Sequence, residues 1–322
     1  MPLNKIDVSL SRGLVRAEAR QLTRSIEQHS GEVLKTFYGG VGPRFEKGGR
    51  LSADQLRALA ASFDSRAREA FSPLWSDMSF TPPTPGRPNS ASYDMLHYWI
   101  NPVEVEGSPN RLMKVAAFSS WGDRKNVSIC AHDTLVSFYE HAAHRLLQRF
   151  PGNLDAAIRQ IGQRLVEALI LPSLAVFESE RELANRQMHI PFMDGLLLGE
   201  FIARPFNAAV GDYRRFCRAG CQEGTMGFPV AAEYVVKTYI GPREISDQQK
   251  RSAHQVETWL TAHAMEADVI RRFASYKQGS LWDCGQMALE AVKDLHADFW
   301  RMWEDVSGDV GKSRSEAAAK EA

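Results

Sequence analysis

The sequence predicts an α+β protein in which an antiparallel sheet packs against helices, with further helices at both ends of the chain. Amphipathic segments with helical periodicity occupy the two ends, whereas the middle contains short segments rich in β-branched and aromatic residues. Turn-forming residues separate these short segments. The resulting order of helices, strands, helices, strands and helices differs from the alternating β-α-β units of a parallel sheet.

The first 80 residues are the predicted helical N-terminal region. Apolar residues recur at helical spacing from Ser9 to Tyr38, and the pair Gly39-Gly40 ends this helix. A second helix is expected from Ser52 to Phe71. Residues 81–92 contain four prolines and a glycine, which exclude a regular helix and indicate a linker or an extended surface connection. We place a domain boundary there.

Residues 93–242 are the predicted α+β core domain. The expected elements of its first part are strands at Tyr93–Glu106, Arg111–Trp121 and Asn126–Ala131 and helices at Thr134–Phe150 and Leu154–Phe177. Two apolar stretches then flank Met193-Asp194-Gly195 and predict a hairpin whose glycine takes the positive φ of a tight turn. The segment Tyr234–Ile240 is the clearest strand because β-branched and aromatic residues dominate it.

The last part of the chain is predicted to form helices over residues 243–306, from about Ser246 to Tyr276 and from Leu281 to Val306, followed by a flexible polar tail at 307–322. The chain has 39 basic and 39 acidic residues, so any anion binding must come from local patches. No apolar run approaches the about 20 residues that cross a bilayer, and the first residues lack a signal peptide. We therefore predict a cytoplasmic protein with no membrane partner.

Signatures of common cofactor sites are absent from the sequence, namely the phosphate-binding loop, the dinucleotide fingerprint, the nucleophile elbow and His-Glu-x-x-His. We predict no cofactor and no metal. Cys217 and Cys221 have a spacing that suits two ligands on a helix, but a structural zinc site needs four and the neighbouring arginines repel cations. Whether this pair binds a metal stays open. Cys284 starts a predicted helix, where a packed thiol is the plainer interpretation and a reactive thiolate the alternative.

The first helix carries arginines at four-residue spacing, which places them on one slowly rotating stripe: Arg12, Arg16, Arg20 and Arg24. Such a stripe either is neutralised by acidic groups or binds phosphate or an acidic partner surface. Glu18 and Glu27 lie nearby in the sequence, so a solvated or salt-bridged face is the plainer interpretation. Anion binding is the alternative.

The most concentrated set of catalytic residue types lies at His141, Arg145 and Arg149, which are successive i, i+4 neighbours on a predicted helix. A neutral histidine can accept a proton near pH 7, and an arginine can stabilise charge on phosphoryl oxygens. The set therefore predicts a metal-independent phosphodiester site. Two alternatives stay open: zinc ligation by His141 and His144 with His132 or Asp133, and an ordinary polar helix face.

The pattern His141-Ala-x-x-Arg145-x-x-x-Arg149, followed much later by Lys237-Thr-Tyr-Ile240, resembles ribonuclease toxin domains of the barnase, EndoU, colicin and RelE type. It is also similar to uncharacterised proteins carried on bacterial mobile elements. The resemblance covers Ile129 to Ile240, with a long insertion before the last strand. It implies His141 as general base, Arg145 as phosphate clamp, and Thr238 or Tyr239 as a partner on the sheet.

The expected function is thus a metal-independent enzyme that cleaves or processes RNA or DNA in a bacterial mobile-element or toxin-like system. The alternative is a non-enzymatic interaction or assembly protein whose helical surfaces bind a protein partner or a second copy of the chain. Tryptophans would then be the anchors, namely Trp259, Trp282, Trp300 and Trp303. The substrate, the oligomeric state and the physiological role are left open.

Overall fold

The computed structural model describes residues 7–40, 49–87, 89–105, 110–150, 154–174, 187–204, 231–273, 295 and 297–306. It confirms the α+β class, because helices accompany a mostly antiparallel arrangement of strands. The chain divides into two compact units. We call Gly13–Thr134 the N-terminal unit, and Met1–Arg12 together with Leu135–Ala322 the C-terminal unit.

The N-terminal unit contains most of the first helix, a second helix and four consecutive strands. These are α1 (Val8–Gly40), α2 (Ala53–Phe71), β1 (Trp75–Thr81), β2 (Ser92–Glu104), β3 (Arg111–Asp123) and β4 (Val127–Tyr139), the last of which continues into the C-terminal unit. The predicted start of α2 is confirmed by a capping box. The Ser52 hydroxyl accepts from the backbone N–H of Gln55, whose side chain accepts from the backbone N–H of Ser52.

Helix α2 packs its apolar face on the strands of the N-terminal unit. The strands are adjacent in the order β1-β2-β3-β4, and both β1/β2 and β2/β3 are antiparallel. Phe63 and Phe71 of α2 are buried with Trp99 and Phe118, and the rings of Phe71 and Trp99 stack at 4.7 Å. Met95 and Trp99 of β2 belong to this cluster, and because successive side chains of a strand point to opposite faces, these two share the face that α2 covers.

Residues 81–92, where the sequence indicates a linker or an extended surface connection, connect the two strands of a hairpin. Thr81 at the end of β1 lies opposite Ser92 at the start of β2, so this segment joins two strands of one unit. The two compact units meet along the chain at Arg12/Gly13 and at Thr134/Leu135. Prolines exclude a helix equally well in a hairpin connection and in a linker, so composition alone does not separate the two.

The C-terminal unit begins its main part with the last residues of β4. Its further elements are α3 (Glu140–Arg149), α4 (Leu154–Glu167), α5 (Ile170–Leu174), β5 (Gln187–Phe192), β6 (Gly195–Arg204), β7 (Ala231–Ile240), α6 (Asp247–Ala262), α7 (Ala264–Phe273) and a helical segment at residues 297–306. The strands are adjacent in the order β4-β7-β6-β5. The β6/β7 and β5/β6 pairs are antiparallel, whereas β4 and β7 are parallel, with Val136 opposite Tyr234. The sheet is therefore mostly antiparallel, as expected, with a parallel pair between β4 and β7.

Three predicted helices have different bounds in the structure. The one expected over Leu154–Phe177 is divided into α4, which ends at Glu167, and α5, which begins at Ile170. The helix expected over Thr134–Phe150 begins only at Glu140, because β4 extends to Tyr139. The segment Leu135–Phe138 is buried at every residue, and a short apolar run of this kind has no clear periodicity. The helix expected from Ser246 is divided at His263 into α6 and α7.

The predicted hairpin around Met193 is confirmed, with Phe192 of β5 opposite Gly195 of β6. The positive φ falls on Met193, at 55°, and not on Gly195 as expected. Gly195 is needed for a different reason. A Cβ atom there would collide with the backbone oxygen of Ile240 and with the hydroxyl of Tyr239.

Aromatic side chains fill the core of the C-terminal unit. Trp303 packs against Phe201 at 5.1 Å and against Phe299 at 5.9 Å, and Trp259 packs against Phe299 at 5.8 Å. Trp259 and Trp303 are buried, so they serve the core and not an exposed surface. Trp282, the cysteines Cys217, Cys221 and Cys284, and the predicted tail lie outside the described residues. None of the described helices combines the length and apolar composition needed to cross a membrane.

Candidate His–Arg site

Helix α3 follows β4 without a loop and carries the predicted catalytic histidine and arginines. Its residues Ala142, Ala143 and Leu146 are buried, and the helix packs on β7. The same helix carries His141, which is half-buried, and His144, of which 4% is exposed. The two imidazole rings lie 5.3 Å apart. The packing of α3 on the sheet thus fixes both histidines in one place.

The two histidines lie among positive charges. Burial lowers the pKa of His141 below its usual value, and the guanidinium groups of Arg145 and Arg12 lower it further. Burial, His141 and the same arginines lower the pKa of His144 to about 4. Both rings are therefore neutral at pH 7. We call Arg12, His141, His144 and Arg145 the His–Arg cluster; all four belong to the C-terminal unit.

The buried ring of His144 has one nitrogen without a hydrogen-bond partner among the described residues, namely Nε2. A hydrogen bond to the backbone of His141 raises the pKa of His144, which is the effect of a carbonyl acceptor. The proton of the neutral ring is therefore on Nδ1, and Nε2 retains its lone pair. The lowered pKa keeps this ring neutral, so Nε2 can accept a hydrogen bond at pH 7.

Glu244 contacts the two arginines of α3 at different distances. Its carboxylate binds the terminal guanidinium nitrogen of Arg149 directly, whereas that of Arg145 lies 3.6 Å away. These charges lower the pKa of Glu244, with the hydrogen bond from Arg149 as the largest cause. Arg145 keeps 34% of its side chain exposed. Arg149 is thus held in an ion pair, and Arg145 is the arginine of α3 that faces both the histidines and solvent.

The two predicted partners on β7 have different surroundings. Tyr239 is fully buried, and its hydroxyl donates to Oδ1 of Asp194 at 2.8 Å. Burial raises the pKa of Tyr239 well above its usual value. Thr238 is partly buried, and no described contact joins it to His141 or Arg145. Because successive strand residues point to opposite faces, the two side chains do not share one site.

The arginine stripe of α1 is divided between the two units. Arg12 belongs to the C-terminal unit and lowers the pKa of both histidines, so it is part of the His–Arg cluster. Arg16 is partly buried and makes an interaction, whereas Arg20 and Arg24 are exposed and have no ion pair within the described part of the chain. The four arginines of the stripe thus have different surroundings, and anion binding by them stays a prediction.

The described residues contain no group of three His, Cys, Asp or Glu side chains that is arranged to hold a metal. Asp133, which the zinc alternative included, binds Nζ of Lys114 at 2.7 Å. Sequence spacing indicated His141 with Arg145, and His144 is on the same helix three residues from His141. Arg12 was predicted only as part of the anion-binding stripe and Glu244 was not predicted, because both reach the histidine helix only through the fold.

No family model matches the chain, and no curated protein or solved structure matches it either. The fold and the site therefore define an α+β protein with an imidazole and guanidinium cluster, and the cluster itself is the basis for a functional proposal.

Proposed function

We propose that the chain is a metal-independent enzyme that cleaves or processes nucleic acid, and that the His–Arg cluster binds the phosphodiester group. The observation that supports this proposal is the combination of two neutral imidazoles with the guanidinium groups of Arg12 and Arg145. The placement of this activity in a bacterial mobile-element or toxin-like system is part of the proposal and depends on the sequence resemblance alone.

The chemistry requires a proton acceptor and a means of stabilising negative charge. His141 is the half-buried histidine that a substrate can approach, and it takes the proton from the attacking hydroxyl or water. Arg145 and Arg12 bind the nonbridging phosphoryl oxygens, on which charge increases in the transition state. A guanidinium group suits this role because its planar donors can contact two oxygens together. The leaving oxygen then receives a proton from the protonated base or from water.

The test is cleavage of labelled single-stranded RNA and DNA by the purified full chain, with and without chelator. We expect cleavage of at least one substrate, unaffected by chelator and lost in His141→Ala purified in the same way. Lys250→Ala is the matched control, because Lys250 is an exposed cation of α6 that pairs with Asp247. The proposal is wrong if the wild type cleaves neither substrate, or if His141→Ala retains the same activity.

The second candidate function is assembly with a partner or with another copy of the chain. Helix α7 exposes two apolar side chains one turn apart, with 82% of Met265 and 39% of Val269 accessible. The buried positions of Trp259 and Trp303 remove two of the anchors that this function would use. Light scattering during size-exclusion chromatography tests it: an oligomer that Met265→Glu converts to a monomer would favour assembly.

A further inference from the structure

A serine, a histidine and a carboxylate form a continuous row in the N-terminal unit. Ser76 of β1 lies directly opposite His97 of β2, and its Oγ atom is 2.8 Å from Nδ1 of the imidazole. On the other side of the ring, Nε2 lies 3.2 Å from Oδ1 of Asp64 in α2. The second carboxylate oxygen of Asp64 accepts a hydrogen bond from Nε of Arg68 at 2.8 Å. Cross-strand register and the packing of α2 thus bring three chemically complementary groups together.

The positions of these atoms define the role of each imidazole nitrogen. Burial lowers the pKa of His97 to about 4, so the ring is neutral at pH 7 although Asp64 acts in the opposite direction. The carboxylate favours the single proton on Nε2, which faces it. The Nε2–Oδ1 contact lacks hydrogen-bond alignment, so Asp64 acts on the ring through its charge. Nδ1 is then the acceptor, and the Ser76 hydroxyl donates to it.

Access to the row is from the side of the serine. His97 has no exposed surface, whereas Ser76 is partly exposed. Among the described strands, β1 is the outermost one on its side, so no neighbouring strand covers it. A buried base behind a reachable hydroxyl is the arrangement that nucleophilic catalysis uses. A purely structural network would not need an accessible hydroxyl at this end.

We propose that Ser76 is a nucleophile for acyl esters, with His97 as its general base and Asp64 as the carboxylate whose charge stabilises the protonated base. The Ser76 oxygen forms a bond to the carbonyl carbon while its proton passes to Nδ1 of His97. The ester C–O bond then breaks, and the proton passes to the leaving alkoxide. Water repeats the two steps on the acyl-serine, which releases the acid and restores the serine. This site does not depend on the nucleic-acid proposal, because it lies in the other unit.

The test uses a fluorophosphonate, which forms a stable bond with activated serines, on the intact full chain. Intact mass and peptide mapping should show a single adduct, located on Ser76. Ser79→Ala is the matched control, because Ser79 is an exposed serine of the same strand. This variant should label at the wild-type rate, and Ser76→Ala should not label. We expect His97→Gln to label at least ~100-fold more slowly, the lower end of the usual contribution of a general base.

Asp64→Asn tests the role of the carboxylate charge and leaves His97 itself in place. The variant keeps the shape of the side chain and removes its charge. Labelling of Ser76 should therefore slow, while urea unfolding should show that the unit remains folded. Hydrolysis of a p-nitrophenyl ester should change in parallel across the variants. Absence of an adduct on Ser76, equal labelling of Ser79, or an unchanged rate in His97→Gln would each overturn the proposal.

Discussion

The guanidinium carbon of Arg149 lies 5.9 Å from the centre of the Tyr239 ring. The same guanidinium group binds Glu244, and the Tyr239 hydroxyl donates to Asp194, so both residues have their polar groups engaged within the C-terminal unit. Phe150 and Phe192 contact the ring of Tyr239, each at 6.3 Å between centroids. These contacts hold α3 against β7. Two of the residues that the sequence grouped with a catalytic base therefore stabilise the helix that carries the base.

Tyr239→Phe should lower the free energy of unfolding by about 1 kcal/mol, because the ring packing stays and only the hydrogen bond to Asp194 is lost. Asp194 is exposed, so water replaces the missing donor and limits the loss. Urea unfolding measures the change, and Thr238→Val is the control, with an expected change within about 0.5 kcal/mol. A loss of nucleic-acid cleavage in Tyr239→Phe at unchanged stability would show instead that the hydroxyl takes part in catalysis.

The fold was predictable where local chemistry determines the element. The Ser52 and Gln55 pair marks the start of α2, and the β-branched run at Tyr234–Ile240 marks β7. Prediction failed where long-range pairing decides. The extension of β4 to Tyr139 depends on β7, which pairs with it in parallel although β5 and β6 intervene in the sequence. Strand β1 was missed because its segment has few apolar residues and gains its structure from β2.

The candidate sites show the same division. Helical spacing alone predicted that His141 and Arg145 are neighbours, because it requires no knowledge of the tertiary fold. The approach of Arg12 to the histidines depends on the tertiary fold, because Arg12 is distant from them in the sequence and belongs to the same unit. The contact between Ser76 and His97 depends on the register of two strands, which a shift of one residue would abolish. No sequence pattern specifies that register.

Glycine-to-alanine substitutions should have opposite effects at Gly195 and Gly31. Alanine at position 195 would place a methyl group against Ile240 and Tyr239, so the free energy of unfolding should fall by about 1–3 kcal/mol. Gly31 lies in the interior of α1 with open space around the added carbon, so alanine should raise it by about 0.5–1 kcal/mol. Urea unfolding of both variants checks the pair. Equal effects would contradict the different surroundings of the two glycines.

His97 should make the N-terminal unit less stable as the pH falls. Burial lowers the pKa of His97 in the folded protein to about 4, whereas in the unfolded chain His97 has the usual value of about 6.5. Between these values the unfolded state binds more protons, so stability is retained above pH 6.5 and lost towards pH 4, by at most about 3 kcal/mol. Two charged groups act on this ring: Asp64 raises the pKa of His97, and Arg68 lowers it. Ser76 is its uncharged neighbour.

The measurement for His97 is urea unfolding at a series of pH values in the wild type and in His97→Gln. The difference between the two curves removes the contributions of His144 and His189, whose pKa values burial also lowers. We expect the difference to change most between pH 6.5 and 4. Parallel curves across this interval would show that His97 titrates alike in both states.

The exposed arginines of α1 should contribute to nucleic-acid binding if this surface contacts phosphates. Replacing Arg20 and Arg24 by glutamine removes two cations that lack ion pairs within the described residues. Each phosphate contact adds about 0.9 to the slope of log affinity against log salt concentration, so the slope should fall by about 2. Arg66→Gln is the control, since Arg66 lies 3.9 Å from Glu32. An unchanged slope in the double variant would make the stripe a solvated face.

Substitutions in the His–Arg cluster should separate proton transfer from charge stabilisation. His141→Ala should reduce cleavage by ~10²- to 10⁴-fold without unfolding the half-buried site, because general base catalysis typically contributes that much. Arg145→Lys should also reduce the chemical step, since lysine keeps the charge but loses the planar fork that binds two oxygens. Arg149→Lys is the matched control substitution and should have little effect, because the partner of Arg149 is Glu244 and lysine can still bind a carboxylate.

The lowered pKa of His141 keeps the base deprotonated into the acidic range, so the acid limb of the pH profile should lie below pH 6.5. Equal effects of the two lysine variants, or an acid limb above pH 6.5, would show that His141 and Arg145 do not have the roles assigned to them.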